Sequence, residues 1–130
     1  MMKEKYINLV NVCKEDADML EIVNSDIAAL GLYVNAVYMM ETTLPIIRVR
    51  YDGEELRDRV ERLDRNRRDY HERAIMGVKR LNRFAAMMNV EEIFDGDVND
   101  RYAIADFCME TVTEIFNDRT GKNFSIQDLD

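Results

Sequence analysis

Residues 52–89 read DGEELRDRVERLDRNRRDYHERAIMGVKRLNRFAAMMN. In this stretch one set of residues recurs at alternating spacings of four and three. Its members are Leu56, Val60, Leu63, Arg67, Tyr70, Ala74, Gly77, Leu81, Phe84 and Met88. Such spacing places all of them along one side of a long α-helix, and it is typical of helices that pack lengthwise against another helix. The stretch therefore predicts a helix from about 53 to 89 that requires a helical partner.

A second series with the same spacing precedes it and supplies the partner. Its members are Leu20, Val23, Ile27, Leu30, Val34, Val37 and Leu44, with Glu41 as the one charged position. Two neighbouring helices with matching series predict an antiparallel hairpin. Pro45 lacks a backbone N–H and biases the preceding residue away from helical angles, so we expect the first of these helices to span about 16–43. Residues 46–51 would form a short helical turn or an extended connector.

The remaining segments complete an all-α bundle of about four helices. Apolar residues at helical spacing predict a short helix at about 3–13 and a last helix at about 99–119, with Asp97 or Asn99 as its N-cap. The whole chain of 130 residues is one domain of ordinary size, and we expect its tail, 122–130, to be loosely docked. One proline in the entire sequence fits a chain made largely of helices.

Small residues in the long helix indicate a close approach of a second backbone. Gly77 costs about 1 kcal/mol relative to alanine in a helix interior, so its presence requires a packing reason. The helix also carries apolar residues on more than one side of this glycine, at Ile75, Val78 and Phe84. A homodimer centred on residues 67–84, with Ala74 and Gly77 at the contact, would cover them.

Composition and charge indicate a cytoplasmic protein. Cys13 and Cys108 stand alone among apolar residues, without a CxxC pair, as expected for reduced thiols. The longest uncharged run, residues 27–40, is shorter than the approximately 20 residues needed to cross a bilayer, so we expect no membrane span. Net charge is −8 overall, yet residues 45–90 carry +4 while the segments before and after carry −4 and −8.

The acidic and basic residues of the long helix suggest two further functions. Glu54, Glu55, Glu61 and Asp64 resemble the carboxylates with which helical nucleotide pyrophosphohydrolases hold magnesium. All four fall within eleven residues, whereas those enzymes separate their two acidic motifs by a loop and a second helix.

Ten basic residues lie between Arg57 and Arg83, which would suit a nucleic acid. The chain has pI ≈ 4.7 and acids interleaved with the arginines, which makes nucleic acid a poor match.

The sequence lacks a complete set of the residues that the common enzyme classes use. A single histidine, His71, excludes di-iron bundles and the usual zinc hydrolases, and there is no glycine-rich phosphate loop. We therefore expect no cofactor, and we interpret the chain as a non-catalytic interaction or regulatory protein that forms a homodimer. A protein partner other than a second copy is the further option. A magnesium-dependent nucleotide hydrolase and a nucleic-acid binder remain the alternatives.

Residues 51–119 also carry a resemblance. The residues that carry it are, in chain order, LDRNRR at 63–68, His71, LNR at 81–83, Ile93 and Phe94, Gly96 and Asp97, and DR at 100–101. This pattern resembles a family of small uncharacterised bacterial proteins known as a domain of unknown function. The resemblance implies no activity, but it marks a candidate polar or anion site. The residues of that site are Asp64, Arg67, Arg68, His71, Asn82, Arg83, Asp100 and Arg101.

Overall fold

Four helices make up the part of the chain that the structure describes. The computed structural model describes residues 2–120, and side chains within residues 4–115. The helices are α1 (Met2–Cys13), α2 (Ala17–Arg50), α3 (Gly53–Met87) and α4 (Arg101–Thr120). Residues 2–120 contain no strand, so the predicted all-α class is confirmed. The predicted docking of the tail, 122–130, lies outside the described residues.

The two long helices, α2 and α3, pack against each other as the predicted antiparallel hairpin. On α3 the buried residues are Ala74, Gly77, Val78, Leu81 and Ala85, which belong to or border the series predicted to pack. On α2 the buried residues are Val23, Leu30 and Val34 of the predicted series, together with four residues outside it: Asp26, Tyr33, Ala36 and Ile47. The packing of the hairpin is thus apolar except at two positions on α2.

The predicted end of α2 near Thr43 is wrong, because the helix continues through Pro45 to Arg50. Proline removes one helical hydrogen bond and costs roughly 3 kcal/mol in a helix interior. The packing continues beyond it, since Ile47 is buried and Tyr51 stacks under the Arg59 guanidinium at 3.9 Å. The Tyr51 amide also donates to the Ile47 carbonyl at 2.9 Å and closes the last turn. These contacts on the far side of the proline offset the lost bond.

Helix ends follow local backbone chemistry. Asp16 separates α1 from α2 by accepting hydrogen bonds from the amides of Asp18 and Met19, each at 3.1 Å. Gly53, the first residue of α3, has φ +57°, a left-handed conformation that glycine adopts without strain. Asn89 ends α3 with φ 58°, as asparagine often does beyond a helix C-terminus. The α4 N-cap is Asp100, so the prediction of Asp97 or Asn99 is wrong by one residue or more.

The core lies at one end of the hairpin. There α1 and α4 pack together and against α2, and Tyr6 shares a buried hydrogen bond with Thr111 at 3.1 Å. No described residue between 38 and 69 belongs to this core cluster. The part of the hairpin formed by residues 38–69 is called here the projecting arm. Among the described residues, its two helices are therefore covered only by each other.

Gly77 is needed because α2 of the same chain packs closely against it. A Cβ atom added to Gly77 would lie 3.3 Å from the Asp26 carbonyl oxygen and 3.5 Å from the Asp26 Cβ. The close approach that glycine predicts is thus made within the hairpin. Ala74 and Val78 are also fully buried by the single chain. The prediction that Ala74 and Gly77 contact a second copy is therefore wrong for these residues, and dimerisation would require another surface.

An ion pair bridges the hairpin at the same level. The Asp26 side chain is almost fully buried, and both of its oxygens accept from the Arg80 guanidinium, with Nε to Oδ2 at 2.8 Å. The hydrogen bond to Asp26 raises the pKa of Arg80. Arg80 remains half exposed, so its charge stays hydrated while it neutralises the buried carboxylate. Arg80 thus permits a carboxylate to lie inside the hairpin.

We predict that Arg80→Met destabilises the protein, because it leaves the Asp26 carboxylate buried without its partner. Loss of a hydrogen-bonding partner for a buried charged group costs about 1–3 kcal/mol. Urea denaturation followed by circular dichroism would measure the free energy of unfolding. Lys79→Met is the matched control, since Lys79 is exposed and forms no ion pair among the described residues. Equal stability of the two variants would contradict the assigned role.

Candidate functional site

A polar cluster lies where α4 begins against the hairpin. It combines Tyr33 from α2, Arg67 and His71 from α3, and Arg101, the first residue of α4. The predicted residues Arg67, His71 and Arg101 thus come together although 34 positions separate the first from the last. They meet because α4 starts beside the middle of the hairpin, at the boundary between the core and the projecting arm.

Arg67 is held in place by Asp64, one turn earlier on α3. Its Nε and terminal nitrogen lie 3.3 and 3.0 Å from the Asp64 Oδ1 atom, and its side chain is only 17% exposed. The other Asp64 oxygen, Oδ2, forms an ion pair with Arg68 and lies 3.1 Å from its Nε atom. One carboxylate therefore serves two guanidinium groups. This group of three side chains carries a net positive charge beside the buried Tyr33.

His71 packs against Tyr33, with ring centroids 5.2 Å apart. Its Nε2 atom is shielded from solvent and has no hydrogen-bond partner among the described residues. An unsatisfied buried polar atom costs about 1–3 kcal/mol. Burial lowers the pKa of His71, and the charges of Arg67 and Arg101 lower it further, while Glu72 acts in the opposite direction. The imidazole is therefore neutral near pH 7, and one of its nitrogens lacks a partner.

Tyr33 is the cluster residue that the sequence reasoning missed. Burial raises the pKa of its hydroxyl, and the nearby charge of Arg67 opposes that shift. The signal in the sequence was weak, since Tyr33 lies directly before Val34 of the predicted series. It does lie seven residues after Asp26, so both polar residues that α2 buries in the hairpin fall on one line of the helix.

Three residues of the predicted site, Asn82, Asp100 and Arg83, lie outside the polar cluster. Asn82 holds the segment after α3: its side-chain oxygen accepts from the amides of Ile93 and Phe94, and its amide donates to the Phe94 carbonyl at 2.7 Å. Asp100 caps α4 by accepting from the amides of Tyr102 and Ala103. Arg83 is exposed and forms no ion pair with a described residue. The first two are structural residues, and the third lies outside the cluster.

The candidate magnesium ligands form no joint site. Glu55 pairs with Arg59 and Glu61 pairs with Arg65, each at 3.4 Å along one face of α3, while Asp64 serves Arg67 and Arg68. Glu54 is exposed in the first turn of α3. Within the part of the chain that the structure describes, no three acidic, histidine or cysteine side chains are placed to hold a metal. These pairs also neutralise part of the basic face suggested for nucleic acid.

The outer side of α2 carries an exposed apolar stripe. Its members are spaced alternately by four and three and are exposed and apolar, except that Asn35 and Thr42 are polar and Thr42 is half-buried: Ala28, Leu32, Asn35, Met39, Thr42, Ile46 and Val49. Leu32, Met39 and Ile46 are each about half exposed, and Val49 is 88% exposed. By length and composition alone α2 could cross a membrane, a test that core helices of soluble proteins also meet. The stripe has the spacing of a helix-packing surface and has no partner helix within residues 2–120.

Comparison with known proteins identifies a family and no activity. A family model described as "Protein of unknown function (DUF3232)" matches residues 1–121. No curated protein and no solved structure matches the chain. The match covers every helix from α1 to α4, so it extends the resemblance noted for residues 51–119 toward the N-terminus.

We predict that His71 makes the protein less stable as the pH falls below about 6.5. Its pKa is lowered in the fold, so below the ordinary value of about 6.5 the unfolded chain binds more protons and the free energy of unfolding decreases. Between pH 7.5 and 5.5 this loss is at most about 1.4 kcal/mol. His71→Gln should lose less stability than the wild type over this range in urea denaturation. Equal losses would show that His71 titrates normally.

Proposed function

The chain belongs to this family of proteins of unknown function, and we propose from its own surface that it is a non-catalytic cytoplasmic protein that works as a homodimer. The single observation that carries the proposal is the apolar stripe on α2, from Ala28 to Val49. Apolar side chains in this arrangement are normally covered by another helix. The projecting arm would then be an association element, and the core end would anchor it.

A second copy suits the stripe because the stripe is symmetric about Met39. In an antiparallel pair with a two-fold axis beside Met39, Leu32 of one copy lies opposite Ile46 of the other. Asn35 lies opposite Thr42, and the Asn35 amide can donate to the threonine hydroxyl oxygen. The Thr42 hydroxyl already donates its own proton to the Tyr38 carbonyl at 2.9 Å, so its oxygen is left to accept. A surface that complements itself in this way is what a two-fold dimer requires.

Charge favours the same orientation. The N-terminal end of α2 is acidic, with Asp18 and Glu21 exposed, and its C-terminal end is basic, with Arg48 and Arg50 exposed. None of the ion pairs between described residues involves Arg48 or Arg50. With the same two-fold axis, Arg50 of one copy lies opposite Ala28 of the other, about 10 Å along the helix from Glu21. An antiparallel pair therefore directs the basic end of each copy toward the acidic end of the other without direct ion pairs, whereas a parallel pair would bring like charges together.

The two cysteines support a role without nucleophilic chemistry. Burial raises the pKa of Cys108 to about 12 and raises that of Cys13, so neither thiol ionises readily. Both are free and buried, which is what reduced thiols in a cytoplasmic protein would be. With Glu55, Glu61 and Asp64 of α3 paired to arginines, the polar chemistry left on this chain is suited to binding rather than to bond cleavage.

Sedimentation velocity at micromolar concentration tests the proposal. We expect the wild-type chain to sediment as a dimer with twice its mass of 15.3 kDa. Leu32→Glu/Ile46→Glu would place four carboxylates in the contact and should weaken association by about a hundredfold or more. Met76→Glu/Met87→Glu is the matched control, because it introduces the same charges at exposed apolar positions of α3 outside the stripe.

Two outcomes would overturn the dimer. One is a wild-type chain that stays monomeric throughout the micromolar range. The other is a dimer that survives the substitutions at Leu32 and Ile46 unchanged. A monomer that floats with phospholipid vesicles would assign the stripe to a membrane surface instead. Circular dichroism of each variant, with the helical content of the wild type, would establish that the substitutions act on association rather than on folding.

A further inference from the structure

The polar cluster at the start of α4 has more positive charge, from Arg67, Arg68 and Arg101, than the nearby carboxylates Asp64 and Glu72 can neutralise. Asp64 is shared between Arg67 and Arg68, and Arg101 forms no ion pair with a described residue. The charge of Arg101 acts on both Tyr33 and His71, as does that of Arg67, so two cations from different helices raise the positive potential at the same two rings. The Arg101 guanidinium itself lies over the Tyr102 ring, 5.3 Å from its centroid. A surplus of cations held beside buried rings attracts an anion.

The hydrogen-bonding groups of the cluster are mostly donors. Arginine has five N–H donors and no acceptor, so neither Arg67 nor Arg101 can accept from His71 when Nε2 carries its proton. Nε2 is shielded and has no partner among residues 2–120. Arg101 is also the first residue of α4, where the helix dipole adds positive potential. An unpartnered imidazole N–H in the positive potential of two guanidinium groups is complementary to an oxygen acceptor of negative charge.

The cluster is open on one side. Arg101 is exposed, so its side chain is free to turn toward or away from the rings. An open groove of about 650 Å³ runs along the projecting arm past Met40, Leu56 and Val60 and reaches Asp64, which holds Arg67. The groove ends at Asp64, one turn of α3 before Arg67.

We propose that Arg67, Arg101 and His71 form a binding site for a small oxyanion, a carboxylate or a phosphate, with Tyr33 as its floor. Arg67, fixed by Asp64, supplies a preorganised guanidinium, and Arg101 closes over the bound group from α4. His71 donates from Nε2 and gains the partner that it lacks. The site lies on a different surface from the apolar stripe of α2, so it is independent of the proposed dimer.

The single histidine provides the readout. In the full-length chain without a histidine tag, one imidazole signal in proton–nitrogen NMR reports His71 alone, and it is titrated with inorganic phosphate and, separately, with acetate. The reference is chloride at equal ionic strength. A bound anion stabilises the imidazolium against Arg67 and Arg101, so we expect the His71 pKa to rise by about one unit in saturating anion. A response to phosphate alone, or to acetate alone, identifies which oxyanion the site selects.

Two variants assign the effect to the cluster. Arg101→Gln removes an exposed charge without disturbance of the core, and it should weaken the response about tenfold, as expected for one charge-assisted hydrogen bond. Arg83→Gln removes a similar exposed charge from α3 away from the cluster and should leave the response unchanged. The proposal is overturned if neither anion shifts the His71 titration relative to chloride. It is also overturned if Arg101→Gln and Arg83→Gln respond alike.

Discussion

The contact between Asp26 and Gly77 sets the distance between the two long helices on which the other elements depend. Because Gly77 has no Cβ, the α2 backbone at Asp26 lies against α3, where an added Cβ would be 3.3 Å from a carbonyl oxygen. Arg80 neutralises the Asp26 carboxylate at the same level. A hairpin closed this tightly presents one continuous surface to α1 and α4, and the core forms on that surface.

The hairpin is longer than the part of it that α1 and α4 cover, and this difference explains where its functional features lie. Among the described residues, α1 and α4 cover only the core end of the hairpin. The projecting arm therefore keeps an exposed apolar face on α2 and an open groove along α3. The polar cluster of Tyr33, Arg67 and His71 lies at the boundary, where α4 begins. A position at the edge of the core gives a site rigid support on one side and access on the other, which ligand binding requires.

Much of this architecture follows from the sequence because helix packing has a period that residues reveal. The spacing from Leu56 to Met88 predicted α3 and its partner, and Gly77 predicted a close contact. What spacing cannot give is the identity of a distant partner: Asp26 and Arg80 are 54 residues apart, and the contact of Gly77 could equally have been with a second copy. The prediction that Pro45 ends α2 was wrong for a related reason, since tertiary contacts at Ile47 outweigh the local preference of proline to end a helix. Of the candidate site, Arg67, His71 and Arg101 were predicted to act together, while Tyr33 was hidden beside an apolar series.

Two glycine substitutions measure the central contact directly. Gly77→Ala and Gly31→Ala lie in helix interiors and gain the same helix propensity, about 1 kcal/mol. At Gly31 the nearest contact of a new Cβ is a Val112 methyl at the ordinary distance of 3.8 Å, whereas at Gly77 it is the backbone of α2 at 3.3 Å. In urea denaturation we predict that Gly31→Ala is neutral or stabilising and that Gly77→Ala lowers the free energy of unfolding. Equal stabilisation by both substitutions would contradict the account, because it would mean that α2 does not lie against Gly77.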